Sequence, residues 1–194
     1  MTIESRGEQT GRVVYVGVAF LLMFTSFNSL QNILSKVYND YGYDRLGETS
    51  ILLIYFCFGF GTLFTPFLIR KQGYRRVFFF SSLGYIVFEG AGLLITLWEE
   101  MPRWTGWAVV VSGAVVCGFS ASALWVGVGS YVNEVAGDGK EGNRKTELNG
   151  IFYSLFMSSQ ITGSLLTTLV LGLMDTKLYF ICLTAIGCIL CGMQ

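Results

Sequence analysis

The sequence predicts an all-α membrane protein of six transmembrane helices, on three observations. Hydrophobic residues make up 53% of the 194-residue chain and charged residues only 13%, whereas a soluble globular domain carries roughly 25% charged residues. The apolar residues gather into six runs, most of them near the ~20 residues that a helix needs to cross the hydrocarbon layer. The charged residues fall almost entirely between those runs.

The spans are expected at 13–34, 49–69, 77–98, 107–132, 150–173 and 178–193. They form a single bundle of two triplets, 13–98 and 107–193, linked by a loop at 99–106 and with a longer loop at 133–149 between the fourth and fifth helices. The first span follows a dozen polar residues in which Glu4 and Glu8 sit beside Arg6 and Arg12. That mixture is neither a basic signal-peptide region nor an acid-poor transit peptide, so the run reads as a retained helix that also serves for insertion. The second span carries no charge and ends at the basic stretch 70–76, and the third contains Glu89. Small residues recur every four positions in the fourth (Ala114, Gly118, Ser122) and fifth (Ser159, Gly163, Thr167) spans. Such ladders let helix backbones approach closely, and helix packing is their strongest reading. Gly137, Gly139 and Gly142 among charges describe a mobile loop between these two spans. The sixth span is the shortest. With 24 Gly and only 2 Pro, the helices are expected to be tightly packed and uninterrupted.

Basic residues are retained on the cytoplasmic side of a membrane, or on the matrix or stromal side in an organelle. If the spans alternate, one side holds nine Lys and Arg: Arg6 and Arg12, four in the stretch 70–76, and Lys140, Arg144 and Lys145. The other side holds four: Lys36, Arg45, Arg103 and Lys177. Both termini are therefore expected on the positive side.

Thirteen basic residues balance thirteen acidic ones and there is no His, which argues against a nucleic-acid surface and an imidazole metal site. The five cysteines all lie in apolar runs, where a thiol behaves as a small hydrophobe. Gly127-Val128-Gly129 lacks the strand and third glycine of a nucleotide loop. No catalytic constellation, metal site or cofactor is expected.

Glu89 is the one ionisable residue well inside a span. A carboxylate in lipid costs several kcal/mol unless it is protonated, paired or hydrated. It reads equally as a proton or cation site facing the bundle interior and as a protonated or hydrogen-bonded structural residue. Asn28, Gln31 and Asn32 place three amides on one face of the first helix. That face binds a ligand or, the stronger reading, hydrogen-bonds neighbouring helices near the membrane surface. Gln160 in the fifth span reads the same way.

Six spans arranged as three plus three match half of a major-facilitator transporter. The stretch 70–76 lies where major facilitators carry a basic signature, and Lys71, Gly73, Arg75 and Arg76 fit it, whereas Arg70 stands in the acidic position. Closer likeness lies in Phe24-Thr25-Ser26-Phe27-Asn28-Ser29-Leu30-Gln31-Asn32, in the run Leu124-Trp125-Val126-Gly127-Val128-Gly129-Ser130-Tyr131, and in Ser159-Gln160-Ile161-Thr162-Gly163. Together these resemble the amino-terminal half of the Unc-93-like family, a divergent branch of the major facilitators. Val128 and Ser164 stand where that family often has Gln and Asn. The resemblance implies a major-facilitator fold in a family whose better-known members regulate potassium channels or escort receptors between membranes.

The leading expectation is a non-enzymatic regulatory, escort or accessory subunit acting through other integral membrane proteins (a channel, a receptor or a large complex) and surrounded by membrane lipids. Trp125 and Tyr131 are candidate anchors for a partner. A second expectation is a secondary transporter, as part of a longer chain or a dimer, coupled to a cation through Glu89. A third is a structural subunit of a large membrane complex.

Overall fold

The computed structural model describes residues 5–98, 100–137 and 142–171, together with 178, 181 and 182. The regular structure there is α-helical: α1 (Arg6–Asp40), α2 (Leu46–Gly61), α3 (Thr65–Gln72), α4 (Tyr74–Leu97), α5 (Arg103–Ala136) and α6 (Gly142–Leu171). The first, third and fourth expected spans lie inside α1, α4 and α5, apart from Trp98, which caps α4. Polar residues extend several helices beyond the apolar runs. The N-terminus of α1 shows why: the Ser5 hydroxyl accepts from the Glu8 backbone N–H at 3.4 Å, and the Glu8 carboxylate accepts from the Ser5 N–H at 2.9 Å. This reciprocal pair satisfies backbone donors that the helix end leaves open. The sixth expected span, apart from residues 178, 181 and 182, and the end of the fifth lie outside the described residues.

Two expectations need correction. The second span is broken: α2 stops at Gly61, residues 62–64 turn, and α3 continues with its axis bent by 66°. Pro66 sits in the first turn of α3. It has no N–H to give the carbonyl of Thr62, and its ring crowds the preceding turn, which favours a kink or a break at this point. Helix also occupies most of the loop expected at 133–149, because α5 runs to Ala136 and α6 starts at Gly142.

Three helix pairs hold the bundle together, α1 with α6, α2 with α5 and α4 with α5. Along the first, Gly17 meets Leu155, Thr25 meets Thr162 with hydroxyls 2.9 Å apart, and Ser29 donates to the carbonyl of Gly163 at 3.0 Å. Thr167 donates back to the carbonyl of Ser29 at 3.1 Å. Numbers rise together, so α1 and α6 run parallel. In the second pair, a Cβ on Gly118 would lie 2.6 Å from both the Cβ of Cys57 and the carbonyl oxygen of Ile54, and Gly61 faces Ser122. These helices too are parallel. The third pair is antiparallel, with Gly113 against Ala91, Gly84 against Ser120 and Tyr131 against Tyr74 at 5.5 Å between ring centroids. The small-residue ladders of α5 and α6 are thus the surfaces on which α2 and α1 pack.

The directions bring the turns together at two ends. At one, the Tyr43 hydroxyl after α1 donates to the Met101 carbonyl before α5 at 3.4 Å. At the other, the start of α1 meets the start of α6 through Arg144, which the sequence suggests lies in a solvated loop. Its side chain is 9% exposed. It donates to the Arg6 carbonyl at 2.6 Å, the Thr10 hydroxyl at 2.9 Å and Gln9 Oε1 at 3.1 Å, and pairs with Glu147 at 2.8 Å. A guanidinium is the group whose several fixed donors can hold three acceptors at once.

Among the described residues, α1, α4 and α5 are each long and apolar enough to cross a bilayer, and the bent pair α2 and α3 makes a fourth if it is one span. The outer surface is equally apolar: Leu52 (69% exposed), Phe56 (69%) and Phe67 (73%) stand out from α2 and α3. Contiguous apolar exposure of this kind calls for lipid or protein around it. The chain is an integral membrane protein.

Substitutions at these contacts are expected to differ sharply in cost. Gly118→Ala, which places a methyl group against the α2 backbone, should cost about 1–3 kcal/mol, whereas Gly150→Ala, with open space around it, stays within about 0.5 kcal/mol of the parent. Arg144→Met is expected to cost roughly 2–4 kcal/mol through lost charge-assisted hydrogen bonds. Unfolding of the purified variants in mild detergent, read by tryptophan fluorescence, checks all three.

Candidate ligand cleft

Phe24, Phe27, Asn28 and Gln31 recur at helical spacing and so share one face of α1. That face meets α2, α4, α5 and α6 around a half-open cleft of about 270 Å³. Its walls are largely aromatic: Phe24 and Phe27 from α1, Tyr55 and Phe58 from α2, Tyr85 from α4 and Trp125 from α5. The rings brace one another, Trp125 edge-on to Phe156 at 4.6 Å between centroids and Tyr85 edge-on to Phe27 at 5.0 Å. Edge-to-face contacts of this kind hold the walls in fixed orientations. The polar residues of the lining include the amides Asn28, Gln31 and Gln160 beside Tyr55, Tyr85 and Trp125. Asn28 also donates weakly to the Ser159 hydroxyl at 3.3 Å.

Glu89 lies beside this cleft without lining it. It is 5% exposed, and its Oε2 has no hydrogen-bond partner among the described residues. It borders a separate void whose free space, about 10 Å³, is the size of a single water. Phe27 and Gln31 border both spaces. Gln31 therefore stands between the carboxylate and the cleft.

The structure gathers four of the residues singled out by sequence, Asn28, Gln31, Trp125 and Gln160, and sets Glu89 next to them. The others lie apart. Asn32 is exposed and donates to the Ser164 hydroxyl at 3.3 Å. Leu124 is fully buried in the core, Gly127 lies against Phe78, Gly129 has open space around it, and Gly163 is in the α1–α6 seam. Tyr131 packs on Tyr74 at the end of the bundle near the basic stretch. There Arg70, Lys71, Arg75 and Arg76 are exposed around Gly73, whose φ of +76° turns the chain from α3 into α4. A side chain would strain that backbone.

Sequence reasoning missed the aromatic wall. A signal for part of it was present in the Phe24, Phe27 spacing on the amide face of α1; Tyr55 and Tyr85 join only through the tertiary arrangement. No group of three or more Cys, Asp or Glu side chains that could hold a metal occurs among the described residues.

Comparison with known proteins gives the family of this chain. Residues 40–190 match the family described as "Ion channel regulatory protein UNC-93". The chain is 27% identical over 164 residues to UNC93-like protein 3 of Arabidopsis thaliana, covering 81% of this chain and 32% of that protein. It is 26% identical over 171 residues to the putative potassium channel regulatory protein unc-93 of Caenorhabditis elegans, covering 81% of this chain and 21% of the relative. Likeness to the UNC93-like protein MFSD11 of Xenopus laevis is 27% over 196 residues, covering 96% of this chain and 40% of the relative. The chain thus spans well under half the length of these relatives. No solved structure matches it significantly. With the family match extending over most of its residues, this chain belongs to the UNC-93 family.

Proposed function

We propose that the chain forms the six-helix half of a major-facilitator-type bundle and acts, without enzymatic activity, as a regulatory, escort or accessory subunit for another integral membrane protein, an ion channel first among them. The match to a family described as ion channel regulatory proteins carries this reading. Packing supports the half-bundle. The first helix of each expected triplet pairs in parallel with the second element of the other, α1 with α6 and α5 with α2, as an inverted repeat of three plus three helices requires. The exposed Leu52, Phe56 and Phe67 of α2 and α3 offer a face on which a partner helix can pack.

In this topology the basic stretch 70–76, the start of α1 and the start of α6 share the cytoplasmic, matrix or stromal side. A cysteine replacing Lys71, in a background without other cysteines, is expected to react with an impermeant maleimide from that side alone, and one replacing Arg45 from the opposite side alone.

A second reading, a cation-coupled secondary transporter working through Glu89, draws on the unpartnered Glu89 Oε2 beside an open cleft. One experiment separates the two. Extraction in mild detergent is expected to bring down a channel subunit at fixed stoichiometry, and the purified chain in vesicles is expected to move no solute saturably. Saturable uptake that Glu89→Gln abolishes while folding persists would establish the transporter instead.

A further inference from the structure

The cleft has a chemical character that neither an accessory role nor the family match assigns, and that character is independent of the role. Two separate features point the same way. Its walls carry aromatic side chains from five helices, Tyr55 and Trp125 the more open and Phe24 and Tyr85 buried, and the described lining residues include no Lys or Arg. Aromatic faces attract cations through the ring quadrupole and do so most strongly when the ion is desolvated. The second feature is Glu89, nine-tenths buried, with an oxygen that finds no partner among the described residues, separated from the cleft by a wall that includes Phe27 and Gln31. A buried carboxylate left without a partner is stabilised by a nearby positive charge and penalises a negative one.

From this juxtaposition we propose that the cleft is a binding site for a small organic ammonium ion, held between the aromatic walls with Glu89 as its counter-charge. Volume limits the ligand: about 270 Å³ admits a head group of a few heavy atoms and leaves room for a short tail toward the open side. The void at Glu89 is too small for the ligand itself. The carboxylate therefore acts across Gln31, directly through the electric field or through one water, and the ammonium group stays in the aromatic part. An inorganic cation fits less well, because the lining offers a few amide oxygens where a dehydrated metal ion needs a shell of six or more.

The test uses the full chain in nanodiscs and two probes of equal shape, choline and its uncharged isostere, in which a quaternary carbon replaces the nitrogen. Equilibrium dialysis is expected to show choline bound at least about tenfold more tightly than the isostere, the size of preference that a desolvated cation–π site gives. Trp125→Leu is expected to weaken choline more than the isostere, and Glu89→Gln to reduce the preference for charge while leaving the isostere unchanged. Equal or tighter binding of the isostere, or binding of neither probe, would overturn the proposal. Full preference retained in a folded Glu89→Gln variant would overturn the counter-charge. Should that variant fail to fold, the comparison of the two probes on the parent chain and on Trp125→Leu still decides whether the cleft selects positive charge.

Discussion

Between two helices in lipid, apolar side chains gain little by leaving one hydrocarbon environment for another, so association relies on close van der Waals contact and on hydrogen bonds that lipid cannot supply. In this bundle both come from the same residues. Where α2 crosses α5, Gly118 admits the α2 backbone to a distance at which any side chain would collide. Where α1 runs beside α6, Gly163 lets the backbones come close, a Cβ there lying 3.1 Å from the Asn28 Cβ and the Thr25 carbonyl oxygen, and this approach puts Ser29 and Thr167 within reach of backbone carbonyls. Contact distance and polar contact are therefore one constraint. The cleft depends on it, because its walls are the aromatic residues that project from these same helices just beyond the small-residue seams.

Much of this was legible in the sequence for a physical reason. Lipid imposes a uniform demand for long apolar runs, and Gly, Ala, Ser and Thr at every fourth position mark where helices touch. So the spans at 13–34, 77–98 and 107–132 and the ladders through Gly118 and Gly163 emerge without any structure. Hydropathy could not find the break after Gly61, since residues 62–64 and Pro66 are as apolar as their neighbours and the interruption is a matter of backbone donors and ring sterics. Nor could it find the buried Arg144. A charged residue among Gly and other charges has the composition of a loop, and its burial arises only from the acceptors that the first turns of α1 bring to it.

The candidate site divides along the same line. Amides on one face of α1 are a local pattern, and local patterns survive in a linear reading. The walls around them come from four further helices, with Tyr55 and Tyr85 thirty residues apart in the chain and both in the lining. Glu89 stood out from the beginning as an acid in an apolar run, but its relation to the cleft, through the partition of Phe27 and Gln31, is a property of the packed bundle.

The seam between α1 and α6 also bears on how the protein is made. The hydroxyls and amides of Thr25, Asn28 and Ser29 find their partners about 130 residues later in the chain, as do the acceptors that Arg144 fills. At about 10 residues per second of synthesis, the first helix waits on the order of ten seconds before those partners exist. During that interval the Thr25 and Ser29 hydroxyls have only the carbonyls of Leu21 and Thr25 in their own helix, and the Asn28 amide faces the membrane without Ser159. The newly made α1 must either linger beside the insertion machinery, where water and protein can satisfy these groups, or rest on a temporary companion until α6 arrives to replace it.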